Sequence, residues 1–346
     1  MKQLKRIILG LLWILTSHAQ GNAVLTAIPS TVVLAVNNPG LSPVLTGRPR
    51  DIRIENNTDI VARNVKYISV HLPQGMSITP AKCGDIKPKE ACVLSITPGL
   101  SPSENTEIHF KGDNTSSLSV FVRALTYGSV YQGGYVFAIE DNATRVSGKV
   151  LSLRDQTPPV PGVVWSSNGR SGRSQDAVFH AIPQVYDDSL HNCDAKVDGA
   201  CNTARIVDYY SRPMQHIPIA LKYYAAGVCK QYVTNNQGET PCSGNECLAD
   251  WYLPAICEFD KVSSPIPQSI ICPADIQNVV TNLGYLSDIN CAGTQCLAGS
   301  YWSSTAHYDR GYPEYSAWDE DFNVSGSSQY NDDKNNQYGV RCVRAF

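Results

Sequence analysis

The stretch from residue 307 to residue 338 has the composition of a ligand-binding loop. It is rich in tyrosine and also carries many Asn, Asp and Ser residues. Tyrosine offers apolar area together with a hydroxyl, and Asn and Ser give adaptable hydrogen bonds, a mixture that binding loops favour. Aromatic faces also stack on sugar rings. The candidate ligand-binding residues are Tyr308, Tyr312, Tyr315, Asp319, Tyr330 and Asn335.

The same composition fits an ordinary polar loop with a few packed tyrosines, and the sequence leaves both interpretations open. Two acidic runs, Trp318-Asp319-Glu320-Asp321 and Asn331-Asp332-Asp333, carry oxygens of the kind that hard cations such as calcium prefer. A solvated acidic loop is the interpretation that we favour, so no metal is predicted. Trp318 and Phe322 are expected in the core rather than on a ligand platform.

Recognised catalytic motifs are absent from the sequence. It contains no GxSxG elbow, no P-loop, no HExxH motif and no dinucleotide-binding fingerprint. A catalytic thiol needs an unpaired cysteine, and the even number of cysteines leaves none. We therefore predict a protein that is not an enzyme and holds no cofactor.

The N-terminus has the order of a cleavable secretory signal. Lys2, Lys5 and Arg6 precede an apolar stretch over residues 7–15, and Ser17 and Ala19 supply the small residues that a signal peptidase recognises. The stretch is too short to span a bilayer comfortably, and no later segment is long and apolar enough. Residues 1–19 are therefore predicted to be a signal peptide of an exported protein, whether periplasmic, displayed at the cell surface or secreted.

The chain has 12 cysteines, and in an exported protein an even number points to disulfides. They are Cys83, Cys92, Cys193, Cys201, Cys229, Cys242, Cys247, Cys257, Cys272, Cys291, Cys296 and Cys342. Zinc is the competing interpretation, but there is no CxxC pair and the 7 histidines are scattered. We predict disulfides.

Charge is shared unevenly along the chain. The formal net charge is −3, and acidic residues outnumber basic ones only from residue 126 onward. An acidic C-terminal half disfavours nonspecific binding to nucleic acid or anionic lipid, and it weakens the case for a purely electrostatic site for sulfated glycans. The expected partner is a glycan or a protein of a host or cell surface.

Residues 24–125 are predicted to form an all-β immunoglobulin-like (Ig-like) sandwich, because short β-rich runs recur between turn residues. The runs are residues 24–28, 31–36, 50–55, 65–70, 92–96, 106–110 and 118–124. The segment from Cys83 to Cys92 is predicted to be a hairpin closed by a disulfide. With the strand-and-turn run at residues 52–58, it resembles the bacterial Ig-like repeats of surface proteins, which usually act as spacers.

Residues 126–346 contain a series of short motifs. They are Tyr131-Gln132-Gly133-Gly134, Asp198-Gly199-Ala200-Cys201-Asn202-Thr203, Trp251-Tyr252-Leu253-Pro254, Tyr301-Trp302-Ser303-Ser304-Thr305, Trp318 with Phe322, and Gly339-Val340-Arg341-Cys342-Val343-Arg344. Their order and spacing resemble the Lcl C-terminal domain family, named after a Legionella collagen-like adhesin. The resemblance implies an α+β C-type-lectin-like fold and a role in adhesion or glycan binding. The collagen-like Gly-X-Y repeat is missing, so the trimerisation that it would favour is not implied.

Apolar periodicity predicts two helices in this domain, over residues 217–232 and 273–283. In C-type-lectin-like domains a first-helix cysteine commonly pairs with one in the last strand, and Cys229 and Cys342 fit these places. The other pairs are assigned locally, as Cys193–Cys201, Cys242–Cys247, Cys257–Cys272 and Cys291–Cys296. Sequence alone does not fix this connectivity.

The sequence thus predicts a secreted or cell-surface binding protein, in which an Ig-like module holds a lectin-like module away from the surface. Two alternatives stay open. One is a structural envelope protein whose lectin-like domain makes protein contacts only. The other is an enzyme built on the lectin-like fold, which fold alone does not exclude.

Overall fold

The computed structural model describes residues 21–68, 71–188, 193–212, 218–261, 270–284, 296–312, 314–323 and 326–346. The predicted signal peptide lies outside these ranges, and so does Cys291. Within the ranges, no helix has both the length and the apolar character that crossing a membrane requires.

The N-terminal part of the chain is built from strands alone. Its strands are β1 (Leu25–Ile28), β2 (Thr31–Ala35), β3 (Asn37–Asn38), β4 (Leu45–Thr46), β5 (Arg50–Asn56), β6 (Ala62–Ile68), β7 (Ser77–Thr79), β8 (Lys82–Ile86), β9 (Ala91–Thr97), β10 (Ser103–Lys111) and β11 (Leu118–Leu125). One sheet has the strand order β1-β5-β9-β7, and the other has the order β2-β11-β10-β6-β8. Each predicted β-rich run overlaps one of these strands, so the all-β prediction is confirmed.

The core of this part follows from strand alternation, because successive side chains of a strand point to opposite faces. On β5, Ile52 and Ile54 are fully buried while Asp51 and Arg53 face outward. On β11, which belongs to the other sheet, Val120 and Val122 are fully buried. The inner faces of the two sheets therefore meet in a common apolar core.

The predicted hairpin between Cys83 and Cys92 is wrong, although the disulfide itself is present. Cys83 lies on β8, which pairs with β6, whereas Cys92 lies on β9, which pairs with β5 and β7. The disulfide therefore connects the two sheets. The physical reason is burial: Ile86 and Leu94 both point into the core, from sheets that face each other.

The C-terminal part combines sheets with short helices. Its elements are β12 (Val130–Tyr131), β13 (Gly134–Asp141), β14 (Val146–Ser152), α1 (Gly199–Ser211), α2 (Ala225–Gln231), α3 (Ile256–Phe259), α4 (Val279–Leu283), β15 (Gly299–Ala306), β16 (Ser316–Asn323), β17 (Gly326–Asp333) and β18 (Val343–Ala345). One antiparallel sheet has the order β12-β13-β14-β18, and a second has the order β15-β16-β17. Of the predicted ligand-binding residues, Asp319 and Tyr330 lie on strands of this second sheet, whereas Tyr308, Tyr312 and Tyr315 lie between β15 and β16 and Asn335 follows β17.

The helix predictions for this part need correction. The long helix α1 was not predicted, because its buried face includes the polar residues Asn202 and Thr203, which hide the apolar period. The helix predicted over residues 217–232 is reduced to a 3-10 turn, Leu221–Tyr223, followed by α2. The N–H of Ala225, the first residue of α2, donates to the carbonyl of Val164 outside the helix, which marks Ala225 as the start of α2.

The helix predicted over residues 273–283 is reduced to α4. Its N-cap is Asn278, whose side chain accepts a hydrogen bond from the Thr281 N–H at 2.7 Å. Just before it, the Gln277 side chain accepts from the Ile139 N–H and donates to the Ile139 carbonyl, both at 2.9 Å. These bonds attach residue 277 to β13, and the helix begins only after them.

The disulfide assignments are confirmed wherever both cysteines are described. The pairs are Cys83–Cys92, Cys193–Cys201, Cys229–Cys342, Cys242–Cys247 and Cys257–Cys272. Cys296 is also disulfide-bonded, and its assigned partner Cys291 lies outside the described residues. Cys229 lies on α2, so its bond to Cys342 fixes that helix beside the chain that enters β18.

The two parts of the chain meet through charged and polar contacts around Asp141. The guanidinium of Arg50 forms an ion pair with the Asp141 carboxylate and donates to the Asn142 carbonyl at 2.6 Å. The other oxygen of Asp141 accepts from the Arg48 N–H at 2.7 Å. Because the side chains of Arg50 and Asp141 are only 10% and 7% exposed, this pair is largely shielded from solvent.

We expect the double variant Cys229→Ala/Cys342→Ala to lose more stability than Cys242→Ala/Cys247→Ala. The first bond spans 113 residues and the second spans 5. In the chain-entropy model such loops contribute about 5 and about 2 kcal/mol, respectively. The measurement is thermal unfolding of the full chain, with proteolytic fragments identifying which part opens. Equal losses in the two variants would contradict the role of the long loop.

Reductant should also open residues 126–346 before residues 24–125. Of the disulfides between described cysteines, only Cys83–Cys92 lies in the sandwich, whose core is otherwise made by two packed sheets. Limited proteolysis during a titration with dithiothreitol would follow both parts together. Simultaneous opening, or opening of the sandwich first, would contradict this expectation.

Candidate functional site

The predicted tyrosines at the start of the 307–338 stretch form two aromatic groups with residues from a distant part of the chain. Tyr312 and Tyr315 contact each other edge to face, with ring centroids 5.4 Å apart. Tyr315 also stacks on Phe179 at 4.5 Å, and the Tyr308 ring lies 5.5 Å from that of Tyr186. We call these five residues the tyrosine face.

Three of the five residues are open to solvent. The exposed fractions are 39% for Tyr308, 63% for Tyr312 and 40% for Tyr315, whereas Tyr186 is only 4% exposed. The buried rings therefore support the exposed ones. An exposed patch of large aromatic side chains marks an interaction surface more often than scattered single residues do.

Asp187 holds the tyrosine face against the second sheet. One carboxylate oxygen, Oδ2, lies 2.8 Å from His307 Nδ1 and accepts from Trp318 Nε1 at 2.7 Å. The other oxygen, Oδ1, accepts from the Tyr308 N–H at 3.0 Å. One side chain thus connects the strand β16 that bears Trp318 to the loop that bears Tyr308.

The charge on Asp187 follows from these donors. Burial alone would raise the pKa of this carboxyl, but the hydrogen bonds from His307 and Trp318 outweigh it and leave the pKa below its usual value. The carboxylate is therefore ionised at neutral pH. Since it has no proton to give, His307 Nδ1 is the donor in their hydrogen bond.

The backbone explains how these residues come together. Tyr186 forms a parallel bridge with Ala306, the last residue of β15, and the Asp187 N–H donates to the Ala306 carbonyl at 3.0 Å. Beyond β15 the chain turns at Asp309, whose side chain accepts from the Gly311 N–H at 2.9 Å. This turn brings Tyr312 back toward Tyr315 and the start of β16.

Lys334 lies below the tyrosine face and is fully buried. Its ammonium lies 4.7 Å from the centre of the Trp165 ring and donates to the His180 carbonyl at 3.1 Å. Its backbone N–H donates to the Tyr315 carbonyl at 2.9 Å. Burial lowers the pKa of Lys334 to about 7, although the carboxylate of Glu314 opposes that shift.

The remaining predicted site residues lie elsewhere. Asp319 is fully buried on β16, so its assignment to an exposed ligand-binding surface is wrong. Tyr330 is 38% exposed on β17, and no ring contact joins it to the tyrosine face within the described residues. Asn335 is half-buried in the turn that follows β17. The tyrosine face therefore contains Tyr308, Tyr312 and Tyr315 but not the other three predicted ligand-binding residues.

Two buried acids on β16 stand out for their lack of partners. Neither oxygen of Asp319 nor either oxygen of Glu320 makes a hydrogen bond within the described part of the chain. Ser327 and Gln329 lie close enough to moderate the pKa of Glu320 without reaching hydrogen-bonding geometry, and burial keeps that pKa well above its usual value. Burial, followed by the charges of Asp332 and Asp321, raises the pKa of Asp319 to about 9.

Burial favours the neutral form of both acids, and the described residues around them do not form a recognisable metal centre. In the ranges that the structure describes, no group of three or more His, Cys, Asp or Glu side chains is arranged to hold a metal ion. Buried carboxyl groups of this kind are held in the protonated form by desolvation. Their role that follows from the structure is a pH-dependent contribution to stability.

Sequence reasoning missed the supporting half of the site. Phe179, Tyr186 and Asp187 lie in a mostly polar stretch, residues 166–200, and nothing in their spacing connects them with residues 308–318. The one available indication was the presence of aromatic residues in an otherwise polar segment. The backbone bridge between Tyr186 and Ala306, a tertiary contact, makes the two segments neighbours.

Comparisons with known proteins leave this chain without a family. No protein-family profile matches it, and no curated protein is detectably similar. Among solved structures, WR4, an MSP family member of C. elegans, is 14% identical and matches over 29% of this chain and 97% of its own, with a TM-score of 0.23. The Pseudomonas aeruginosa CupB2 chaperone is 17% identical, over 29% of this chain and 55% of its own, with a TM-score of 0.21. The E. coli chaperone DraB is 13% identical and matches over 41% of this chain and 72% of its own, also with a TM-score of 0.21. Likenesses this weak support no inference.

We expect Asp319→Asn to flatten the dependence of stability on pH. The folded-state pKa of about 9 lies above the ordinary value of 3.8, so the contribution of Asp319 is fully present below about pH 4 and is lost as the pH rises through about 9. Each pH unit inside that window removes up to about 1.4 kcal/mol. Asn cannot ionise and should keep its stability there.

The measurement is urea unfolding at a series of pH values between 5 and 9, a range set by that window. Asp51→Asn, at an exposed position on β5, is the matched control and should behave as wild type. Identical slopes for Asp319→Asn and wild type would show that Asp319 does not titrate in this range.

Proposed function

We propose that this protein is a secreted or cell-surface binding protein of the adhesin type. It recognises a glycan or protein ligand through residues 126–346, folded as a C-type-lectin-like domain. The observation that carries the proposal is the tyrosine face, in which Tyr308, Tyr312 and Tyr315 are all exposed, with Tyr315 stacked on Phe179 and Tyr308 packed on Tyr186. Ligand recognition is the use that best accounts for such an arrangement.

The chemistry of the face supports recognition. Tyrosine rings bury large apolar areas at low entropic expense and keep a hydroxyl for hydrogen bonding, which is why they dominate binding surfaces. Here the rings are held in place before any ligand arrives, by contacts with Phe179 and Tyr186 and by the bonds of Asp187. Rings that are already ordered lose less freedom on binding, which favours affinity.

The framework below the face supports the same role. The bond between Cys229 and Cys342, the pair that the resemblance to lectin-like domains implied, joins residues 229 and 342, although Cys229 lies on α2 and not on the first helix. Disulfides persist in oxidising compartments, so the cross-linked chain is suited to the periplasm or the extracellular space. The Ig-like sandwich, attached through Arg50 and Asp141, would act as a spacer that presents the binding domain.

The triple variant Tyr308→Ala/Tyr312→Ala/Tyr315→Ala should lose ligand binding while its Tm stays nearly unchanged. Removing clustered aromatic contacts weakens an interface by more than about 2 kcal/mol, whereas exposed side chains contribute little to folding. The assay is a glycan array probed with the full exported chain, together with a display of cell-surface proteins. A large fall in Tm would instead favour the interpretation of a polar loop with packed tyrosines.

Phe121→Ala is the matched control for this experiment. Phe121 is an aromatic residue on β11 of the sandwich and is 39% exposed, the same fraction as Tyr308. It should bind every probe as wild type does. If the control loses binding to the same extent as the triple variant, the tyrosine face is not the binding surface.

A further inference from the structure

Strand β17 lies at the edge of the second sheet, and no described strand pairs with its outer side. The strand order of this sheet is β15-β16-β17. All 8 residues of β17 pair with β16 in one uninterrupted antiparallel register, from Ser316 opposite Asp333 to Asn323 opposite Gly326. A strand in this position presents a row of backbone N–H and C=O groups on its free side, where another strand can pair with it.

The backbone hydrogen bonds beside β17 show which of its residues face outward. In an antiparallel pair, opposite residues alternate between those that exchange hydrogen bonds and those that do not. The Lys334 N–H donates to the Tyr315 carbonyl at 2.9 Å, so this pair is of the bonded kind and fixes the alternation along β17. The backbone groups that point away from β16 are therefore those of Ser327, Gln329 and Asn331. None of them bonds to another residue that the structure describes.

The other sheet edges of the described chain are short or covered. Edge strands outside the second sheet have between 2 and 5 residues. Strand β15, the opposite edge of the second sheet, is covered by backbone bridges from Ala306 to Tyr186 and from Tyr301 to Gly339. Proteins protect a long edge with Lys, Pro or a bulge, and β17 contains none of these. Within the described ranges, β17 is the one long edge that is left open.

The sequence of β17 is complementary to a second copy of itself. When two such strands lie antiparallel with Gln329 opposite Gln329, Ser327 of each copy lies opposite Asn331 of the other. Each outward N–H then meets an outward carbonyl. The strand is uncharged up to Asn331, and Asp332 lies opposite Gly326 of the other copy. A slide toward the C-terminal ends would bring Asp332 of the two copies together, and like charges directly opposite each other destabilise a sheet.

Tyr330 gains a contact in the same register. Its side chain is 38% exposed, although it is the one large aromatic group on the strand. In the paired arrangement it lies opposite Ser328 of the other copy, in a pair that exchanges no backbone hydrogen bonds, where opposite side chains come closest. The small serine leaves room for the ring, so apolar area of Tyr330 is removed from water. The exposed tyrosine that lies apart from the tyrosine face thus has a use in this interface.

We propose that β17 pairs with β17 of a second copy of this chain, which joins the second sheets of the two copies into one continuous antiparallel sheet. The interface is isologous, because both copies contribute the same residues, and it closes as a dimer. This inference goes beyond the proposed function, since it leaves the tyrosine face free. That face lies near the C-terminal end of β17, where Asp333 is opposite Ser316. Antiparallel pairing therefore directs the two tyrosine faces to opposite ends of the joint sheet, and a repetitive ligand could be bound at two points.

Sedimentation velocity of the full chain over a series of concentrations tests the pairing. One pair of strands buries a small area, so the dimer should be weak and should form at the higher concentrations. Tyr330→Lys should raise the dissociation constant of the dimer by roughly tenfold or more, because it removes the ring contact and adds charge to the edge. Asn331→Pro should raise it roughly tenfold, because proline lacks the outward N–H, which no bond to β16 uses.

Phe121→Lys is the matched control. Phe121 is 39% exposed, against 38% for Tyr330, but it lies on β11, which has a neighbouring strand on each side. This variant should dimerise as wild type does. Hydrogen exchange gives a readout that needs no variant: the amides of Ser327, Gln329 and Asn331 should exchange more slowly as the protein concentration rises. Exchange at these amides that is independent of concentration would overturn the proposal.

A synthetic peptide of residues 326–333 identifies the occupant of the edge. It should dissociate the dimer by taking the place of the second copy, whereas a scrambled peptide of the same composition should not. Equal competition by both peptides would overturn self-pairing and would indicate an edge that accepts extended segments of other proteins. A wild-type monomer at every soluble concentration, or a dimer that both Tyr330→Lys and Asn331→Pro leave intact, would overturn the proposal as well.

Discussion

The candidate site depends on one carboxylate, that of Asp187. Three donors from two separate parts of the second sheet, His307, Trp318 and the Tyr308 backbone, converge on it. Hydrogen bonds to an ionised acceptor are roughly twice as strong as neutral ones, and these are largely shielded from water because the Asp187 side chain is 13% exposed. Without this anchor, the loop that carries the exposed tyrosines would keep the ring contacts of Tyr308 and Tyr315 and the backbone bond from Lys334 to Tyr315, but it would lose its hydrogen bonds to an ionised side chain. The order of the binding surface therefore derives from a residue that makes no contact with ligand in our proposal.

Much of the fold could be predicted from the sequence, for reasons that particular residues make clear. In β5, buried Ile52 and Ile54 alternate with outward Asp51 and Arg53, so the strand is visible in the pattern. Helix α1 could not be predicted from apolar periodicity because the polar residues Asn202 and Thr203 lie on its buried face. Asn202 donates to the Ala195 carbonyl, and the Thr203 hydroxyl donates to the Leu253 carbonyl and accepts from the Leu253 N–H. The hairpin predicted between Cys83 and Cys92 was wrong because the local sequence does not show whether β8 and β9 pair in one sheet or lie in two facing sheets. That choice depends on tertiary packing.

The exposed tyrosines of the candidate site could be predicted from the sequence, but the residues that support them could not. Composition alone identified the tyrosines at 308, 312 and 315 as candidates; all three are exposed, and Tyr312 contacts Tyr315. Composition could not distinguish them from Asp319, whose buried carboxylate makes no hydrogen bond with any residue that the structure describes. It also could not supply Phe179, Tyr186 and Asp187, because their nearness to β15 depends on how the long segment between β14 and α1 returns to the sheet. The sequence shows which side chains are present, but it does not show which distant segments contact them in the folded protein.

Hydrogen exchange of Asp187→Asn tests the central claim most directly. The amide keeps one acceptor oxygen and places an NH2 donor where the other oxygen was, so either the Tyr308 N–H or both His307 and Trp318 lose their acceptor, and the anchor should weaken without a change in size. We predict faster exchange of the backbone amides from residue 307 to residue 316, with unchanged protection in β5 and β11. The exposed neighbour Asp188→Asn should exchange as wild type does in the same segment. Unchanged protection of residues 307–316 in Asp187→Asn would contradict the account, because the tyrosine face would then be held by something other than Asp187.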